Sequence, residues 1–218
     1  MKKILLITLA LIILTPLKAN AFSWGDFFRA LFGLSREETV VEKTSVKEEI
    51  EKSLNEYINE ASTIDKDVQN AFTSMVSIIS GTNEVNSIKT KLKNANAIKD
   101  RTEKTTALNR IYNDYTATLN NNKVEIVALL LLLNDKEKET LKNDINAITN
   151  ASQKYLELSK KNLQLAGTTI KKATIEDERL ILLNNINKVS GEFTLSVKAT
   201  TALSRQAKIL AALAGIKF

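Results

Sequence analysis

Proline is almost absent from this chain, and its single copy is Pro16, so all of the sequence after position 16 is free of proline. Because proline breaks helices and is common in loops, its absence favours long helices joined by short turns. Apolar residues recur in steps of three and four over most of the chain, and no stretch alternates with period two for long. The sequence therefore predicts an all-α protein with almost no sheet.

The first two predicted helices cover the N-terminal half of this region. The first runs from Ser45 to Ser80, with a Ser45–Glu48 capping-box pair at its start and Gly81 as its stop. The second runs from Thr82 to Leu119, although its middle, residues 99–106, is poor in apolar side chains. Three asparagines at 120–122 then disfavour helix and mark a break.

Two further long helices are predicted in the C-terminal half. Asn134 and Glu137 form a cap pattern for the third helix, which ends near Lys171. The last helix begins after Thr174 with an acidic first turn and runs close to the C-terminus. The similar lengths predict an antiparallel up-down-up-down bundle of four long helices over residues 45–218. In the alternative, residues 82–133 form one unbroken helix and the molecule is an elongated, possibly self-associating rod.

The N-terminus resembles a secretory signal peptide, predicted to span residues 1–21. Lys2 and Lys3 precede a mostly apolar segment at 4–14, and Ala19-Asn20-Ala21 is a small-x-small cleavage site. We expect export through a bacterial-type signal to a periplasm or the extracellular space. The chain has no cysteine, so neither a lipid anchor on cysteine nor a disulfide is expected.

The residue types present exclude several kinds of function. Export would leave 28 basic against 25 acidic residues, a balance of +3 that is too small to indicate nucleic acid as a partner. With no histidine, no cysteine and no glycine-rich phosphate loop, the sequence favours a protein that is not an enzyme and has no cofactor or metal. Ser204 with Lys208 is one of the few remaining nucleophile–base spacings, and chance explains it better.

An aromatic-rich segment at residues 22–34 is the first candidate for a functional region, and residues 35–44 form its linker to the bundle. Five large apolar side chains follow helical spacing on one face, and these are the candidate contacts with a partner or a membrane: Trp24, Phe27, Phe28, Leu31 and Phe32. The segment could fold back onto the bundle's own core, lie in a membrane interface, or bind a protein partner.

Two more apolar stretches occur at residues 124–133 and 209–218. The first is too short to span a membrane, which requires roughly 20 residues. An up-down-up-down topology would place both stretches and the start of the first helix at one apolar pole, and Gly81 with Thr174 at a polar pole. The sequence thus favours an exported, non-catalytic binding or scaffolding module of unknown oligomeric state. The alternative is a membrane-active or membrane-surface protein that uses segments 22–34, 124–133 and 209–218.

Overall fold

The computed structural model describes residues 43–218, with side chains from residue 46 onward, and this part of the chain is helical without strands. Residues 1–42, which include the predicted signal peptide and the aromatic segment, lie outside the described residues. The six helices are α1 (Lys43–Ile79), α2 (Thr82–Asn96), α3 (Arg101–Asn121), α4 (Lys123–Leu131), α5 (Asp135–Lys172) and α6 (Glu176–Leu213). The predicted all-α class is confirmed.

Three long helices, α1, α5 and α6, pack side by side, with α5 between the other two. Cross-helix contacts give their directions. Lys172 near the end of α5 pairs with Glu49 near the start of α1 at 3.1 Å. Asn162 in the middle of α5 donates to Ser190 on α6 at 2.7 Å, and Ser152, earlier in α5, lies 2.5 Å from Thr201, later in α6. Therefore α5 is antiparallel to both neighbours, and α1 and α6 run in the same direction.

The second predicted helix is not one rod but a helical hairpin formed by α2 and α3. Helix α2 runs back along α1, so that Asn96 near its end donates to Gln69 at 2.6 Å. Helix α3 then returns, which places Tyr115 near its end 2.8 Å from Ser80. The turn forms at residues 97–100, where the Asp100 side chain caps α3 by accepting from the Glu103 backbone N–H at 2.9 Å.

This reversal means that the four equal antiparallel helices of the prediction are not the observed arrangement. Helix α3 lies parallel to α6, as the Thr102–Glu192 and Asn109–Ser196 contacts show. Helices α1, α3 and α6 consequently end at one end of the molecule, whereas the start of α1 and the α5–α6 turn lie at the other. The prediction that the first helix begins at the same pole as residues 124–133 is wrong. The chain reverses its direction at residues 97–100, where the prediction has one continuous helix.

Other predicted boundaries hold. The break at the asparagine triplet is confirmed, since α3 ends at Asn121 and α4 starts at Lys123, and this excludes the unbroken 82–133 helix. The cap of α5 is also confirmed: the Asn134 side chain accepts from the Glu137 N–H at 3.0 Å, and the Glu137 carboxylate accepts in return at 2.9 Å. Helix α1 begins at Lys43, two residues before its predicted start at Ser45.

Helix α3 is held against the long helices by both apolar and polar contacts. Phe72 of α1 is fully buried, and its ring meets the rings of Tyr112 and Tyr115 edge to face at 5.1 and 5.2 Å. On the other side of α3, Glu192 of α6 is 4% exposed and binds Arg101 at 2.9 Å. Aromatic packing and a partly buried ion pair thus fix the position of the hairpin, and with it the position of α4.

Candidate binding surface

Helix α4 exposes most of its apolar side chains. Ile126 and Leu130, one turn apart, are buried, and Val127 and Leu133 are partly buried against the core, whereas four other apolar residues of the run are exposed. The exposed fractions are 83% for Val124, 48% for Leu129, 60% for Leu131 and 83% for Leu132. A short helix that is apolar on all sides can bury only one face when it packs on a surface. Its remaining face therefore forms an apolar surface in water.

The C-terminal end of α6 adds three exposed apolar side chains, namely Ile209, Leu213 and Phe218. Gly215 has φ +78° and ends the helix: its N–H binds Ala212 O at 3.0 Å, and the next N–H, of Ile216, binds Ala211 O at 2.9 Å. This C-cap turns the chain back, so that Ile216 is buried.

Helix α4 packs mainly on α6 and also on the ends of α1 and α3. The exposed residues of α4 and those at the end of α6 consequently lie at the same end of the molecule, which we call the leucine-rich end. Its exposed apolar residues are Val124, Leu129, Leu131, Leu132, Ile209, Leu213 and Phe218. Exposed apolar residues of segments 124–133 and 209–218 thus lie at one end of the molecule.

A groove of about 380 Å³ lies between α4 and the junction of α1 with α2. Its lining residues are Ile79, Ser80, Gly81, Glu84, Tyr115, Thr118, Asn122, Glu125, Ile126 and Leu129. The hydrogen bond between the Ser80 and Tyr115 hydroxyls forms part of its wall, and burial raises the pKa of Tyr115, so this phenol stays protonated. The groove joins the exposed face of α4 at Leu129.

The electrostatics of the groove disfavour an anionic ligand. Helices α1 and α3 both end beside it, and neither has a basic residue in its last turn. The partial negative charge of their C-terminal carbonyl groups is offset by the N-termini of α2 and α4, whose N-caps Gly81 and Asn122 also line the groove, so Glu84 and Glu125 supply its net negative charge. The groove therefore suits an apolar or cationic group better than a phosphate or carboxylate.

The opposite end of the molecule comprises the start of α1 and the α5–α6 turn. Here the Glu49–Lys172 ion pair links α1 to α5, and Glu176, Asp177 and Glu178 form the first turn of α6. Three apolar side chains are exposed beside these charges: Ile175 at 38%, Leu180 at 38% and Ile181 at 58%. Both ends of the molecule thus expose apolar residues, and the leucine-rich end exposes more of them, seven against three.

The residues predicted as partner or membrane contacts, Trp24, Phe27, Phe28, Leu31 and Phe32, lie outside the described residues. Of the three segments predicted to meet, the structure brings together 124–133 and 209–218. The start of α1 lies at the other end. The sequence reading did not identify the groove, because that groove forms only when α3 runs back beside α1. The signal for this reversal was the Asp100–Glu103 cap pattern within the weakly apolar stretch.

At the end of α6, the side chains of Ser204 and Lys208 have different partners. Ser204 Oγ donates to the backbone oxygen of Thr201 at 3.3 Å, and the Lys208 ammonium lies 5.6 Å from the centre of the Phe218 ring. Among residues 43–218, no three acidic side chains gather in a way that could hold a metal ion. Within the same range, no helix is long and apolar enough to cross a membrane.

No protein-family model matches this chain, and comparison with curated proteins and with solved structures found no match either.

Proposed function

We propose that this protein is a non-catalytic interaction module that binds a protein partner through its leucine-rich end. The observation that carries the proposal is the exposure of four apolar side chains, three on α4 and the fourth at its C-cap Leu132; Val124 and Leu132 are each 83% exposed. Exposed apolar area costs roughly 25 cal/mol per Å² relative to burial, so a complementary surface would gain stability by covering it. Contiguous apolar patches of this kind mark protein–protein or membrane interaction sites.

The groove supports a protein as the partner. A side chain with an apolar stem and a cationic head, such as lysine or arginine, matches its apolar floor and the carboxylates of Glu84 and Glu125. The proposal also includes export through the predicted signal peptide at residues 1–21, which would place the module in the cell envelope or the secreted space.

Site-specific photo-crosslinking in the producing cells tests the proposal. A photoreactive amino acid at Leu132 should give a discrete adduct heavier than this chain, whereas the same amino acid at Leu195, exposed on the middle of α6, should give none. Two further substitutions, Val124→Ser and Leu129→Ser, should remove the adduct. If equal adducts form at both positions, or none forms at Leu132, the leucine-rich end is not a protein-binding surface. An adduct of twice the chain's mass would identify a second copy as the partner.

A membrane surface is the second candidate for the same end of the molecule. The observation that favours it is the basic character of the last part of α6, where Lys208 and Lys217 accompany exposed Leu213 and Phe218. Basic residues beside apolar ones promote binding to anionic lipid. Flotation with phosphatidylglycerol vesicles, lost in high salt and in Leu213→Ser, would favour this candidate. The absence of flotation from both anionic and neutral vesicles would exclude it.

A further inference from the structure

The exposed apolar residues at the opposite end are Ile175, just before α6, and Leu180 and Ile181 in its first two turns, and the proposed function does not use them. We name this region the α6-start surface. At the same end of the molecule, Ile50 of α1 and Leu182 of α6 are buried in the core cluster.

We propose that the aromatic segment at residues 22–34 docks on the α6-start surface of its own molecule. Residues 1–42 precede α1, which begins at this end, so the chain enters the structure beside the surface. Only eight residues, 35–42, join the segment to Lys43, and they reach roughly 30 Å when fully extended. That distance covers the first turns of α6, which lie level with the start of α1.

The length of the linker also excludes the leucine-rich end as the docking site of the segment. Helix α1 contains 37 residues and is therefore about 55 Å long. Helix α4 lies beyond its far end, so the eight-residue linker is too short to bring the segment there. The aromatic segment therefore cannot cover the leucine-rich end of its own molecule. It can reach the α6-start surface.

The chemistry of the two surfaces is complementary. Trp24, Phe27, Phe28, Leu31 and Phe32 are the large apolar side chains that the helical spacing of the segment gathers on one face. The α6-start surface offers exposed apolar area in return, at Ile175, Leu180 and Ile181. Docking would bury apolar area on both sides.

Trp24 provides a direct test, because it is the only tryptophan in the chain. The protein is purified after processing by the producing cell, so that it keeps the N-terminus that export leaves. Its emission should be blue-shifted and should not depend on protein concentration. Ile181→Lys should shift the emission to the red and increase quenching by acrylamide, whereas the control Leu132→Lys, at the leucine-rich end, should change neither.

Cysteine pairs give a second measurement, since the chain contains no cysteine of its own. Phe28→Cys combined with Ile181→Cys should form an intramolecular disulfide on mild oxidation, whereas Phe28→Cys combined with Leu132→Cys should not. A solvent-exposed Trp24 in the unmodified protein, or equal crosslinking of both pairs, would overturn the proposal. Emission that shifts on dilution would also overturn it, because docking would then occur between copies. None of these outcomes depends on whether the leucine-rich end binds a partner.

Discussion

Two regions of this molecule differ in the kind of side chain that they bury and the kind that they expose. Where α3 packs on α6, polar side chains are buried: Glu192 is 4% exposed and Asn109 is 6% exposed. At the leucine-rich end, Val124 and Leu132 are apolar and 83% exposed. Buried polar groups need specific partners and so fix the position of a helix, whereas exposed apolar groups contribute little to stability. The comparison separates residues that determine the fold from residues that are free to bind.

The largest effect is expected from Phe72→Ala, which removes the apolar contact between α1 and α3. Phe72 is fully buried and touches Tyr112 and Tyr115 edge to face. Truncating a buried phenylalanine costs about 3–5 kcal/mol of the free energy of unfolding. Urea denaturation followed by circular dichroism measures this loss. A change below about 1 kcal/mol would show that the hairpin is not packed as described.

A smaller loss is expected from Glu192→Ala, which breaks the buried polar contact on the other side of α3. The variant leaves Arg101 without its carboxylate and Thr102 without its hydrogen-bond acceptor at 2.7 Å. Removing one partner of a fully buried pair costs about 3–5 kcal/mol, but Arg101 is 32% exposed and water screens its charge, so we expect about 2 kcal/mol.

The matched control for this ion pair is Glu192→Gln, which keeps an acceptor for Thr102 and loses only the charge, so it should cost less than Glu192→Ala. A double-mutant cycle with Arg101→Ala isolates the pair itself. If Glu192→Ala and Glu192→Gln destabilise the protein equally, the charge of Glu192 carries the whole effect.

A still smaller, pH-dependent effect is expected at Asp65. Burial raises the pKa of Asp65, although the hydroxyl of Tyr155 donates a hydrogen bond to this carboxyl and lowers it in part. The folded state thus binds the proton more tightly than the unfolded state. Its stability should fall as the pH rises from the ordinary pKa of the group through the raised one.

Asp65→Asn tests this sign, because the amide cannot titrate and its oxygen still accepts from Tyr155. Relative to the unmodified protein, the variant should gain stability as the pH rises from acid to neutral, and thermal denaturation over that range measures the difference. Tyr155→Phe should extend the pH range of the fall, since the hydrogen bond that lowers the pKa is lost. A stability difference that is the same at all pH values would contradict this account.

The helical class, the break at the asparagine triplet and the cap at Asn134 could be predicted from the sequence, because they depend on local spacing and on local hydrogen bonds. The direction of α3 could not be predicted in the same way. A four-residue turn allows a helix either to continue or to reverse, and contacts far apart in sequence decide between them. Phe72 with Tyr112, and Glu192 with Arg101, are such contacts.

The candidate site was predicted only in part for the same reason. The sequence shows that residues 124–133 and 209–218 are apolar, and the structure places exposed residues of both at one end of the molecule. The groove beside α4 requires Ser80 and Tyr115 to meet across 35 positions of sequence. Helical periodicity carries no information about that distance, so the groove follows from the topology and not from any local pattern.

The smallest effect on the free energy of unfolding is expected from Leu132→Ser. Leu130, two residues earlier in the chain, provides the comparison. Leu130 is fully buried and Leu132 is 83% exposed, although both belong to the same leucine run. Leu132→Ser should change the free energy of unfolding by no more than about 0.5 kcal/mol, whereas Leu130→Ala should cost about 2–5 kcal/mol. If Leu132→Ser is as destabilising as Leu130→Ala, α4 buries the face described here as exposed. If it leaves stability unchanged and removes the crosslinked adduct, Leu132 acts in binding and not in folding.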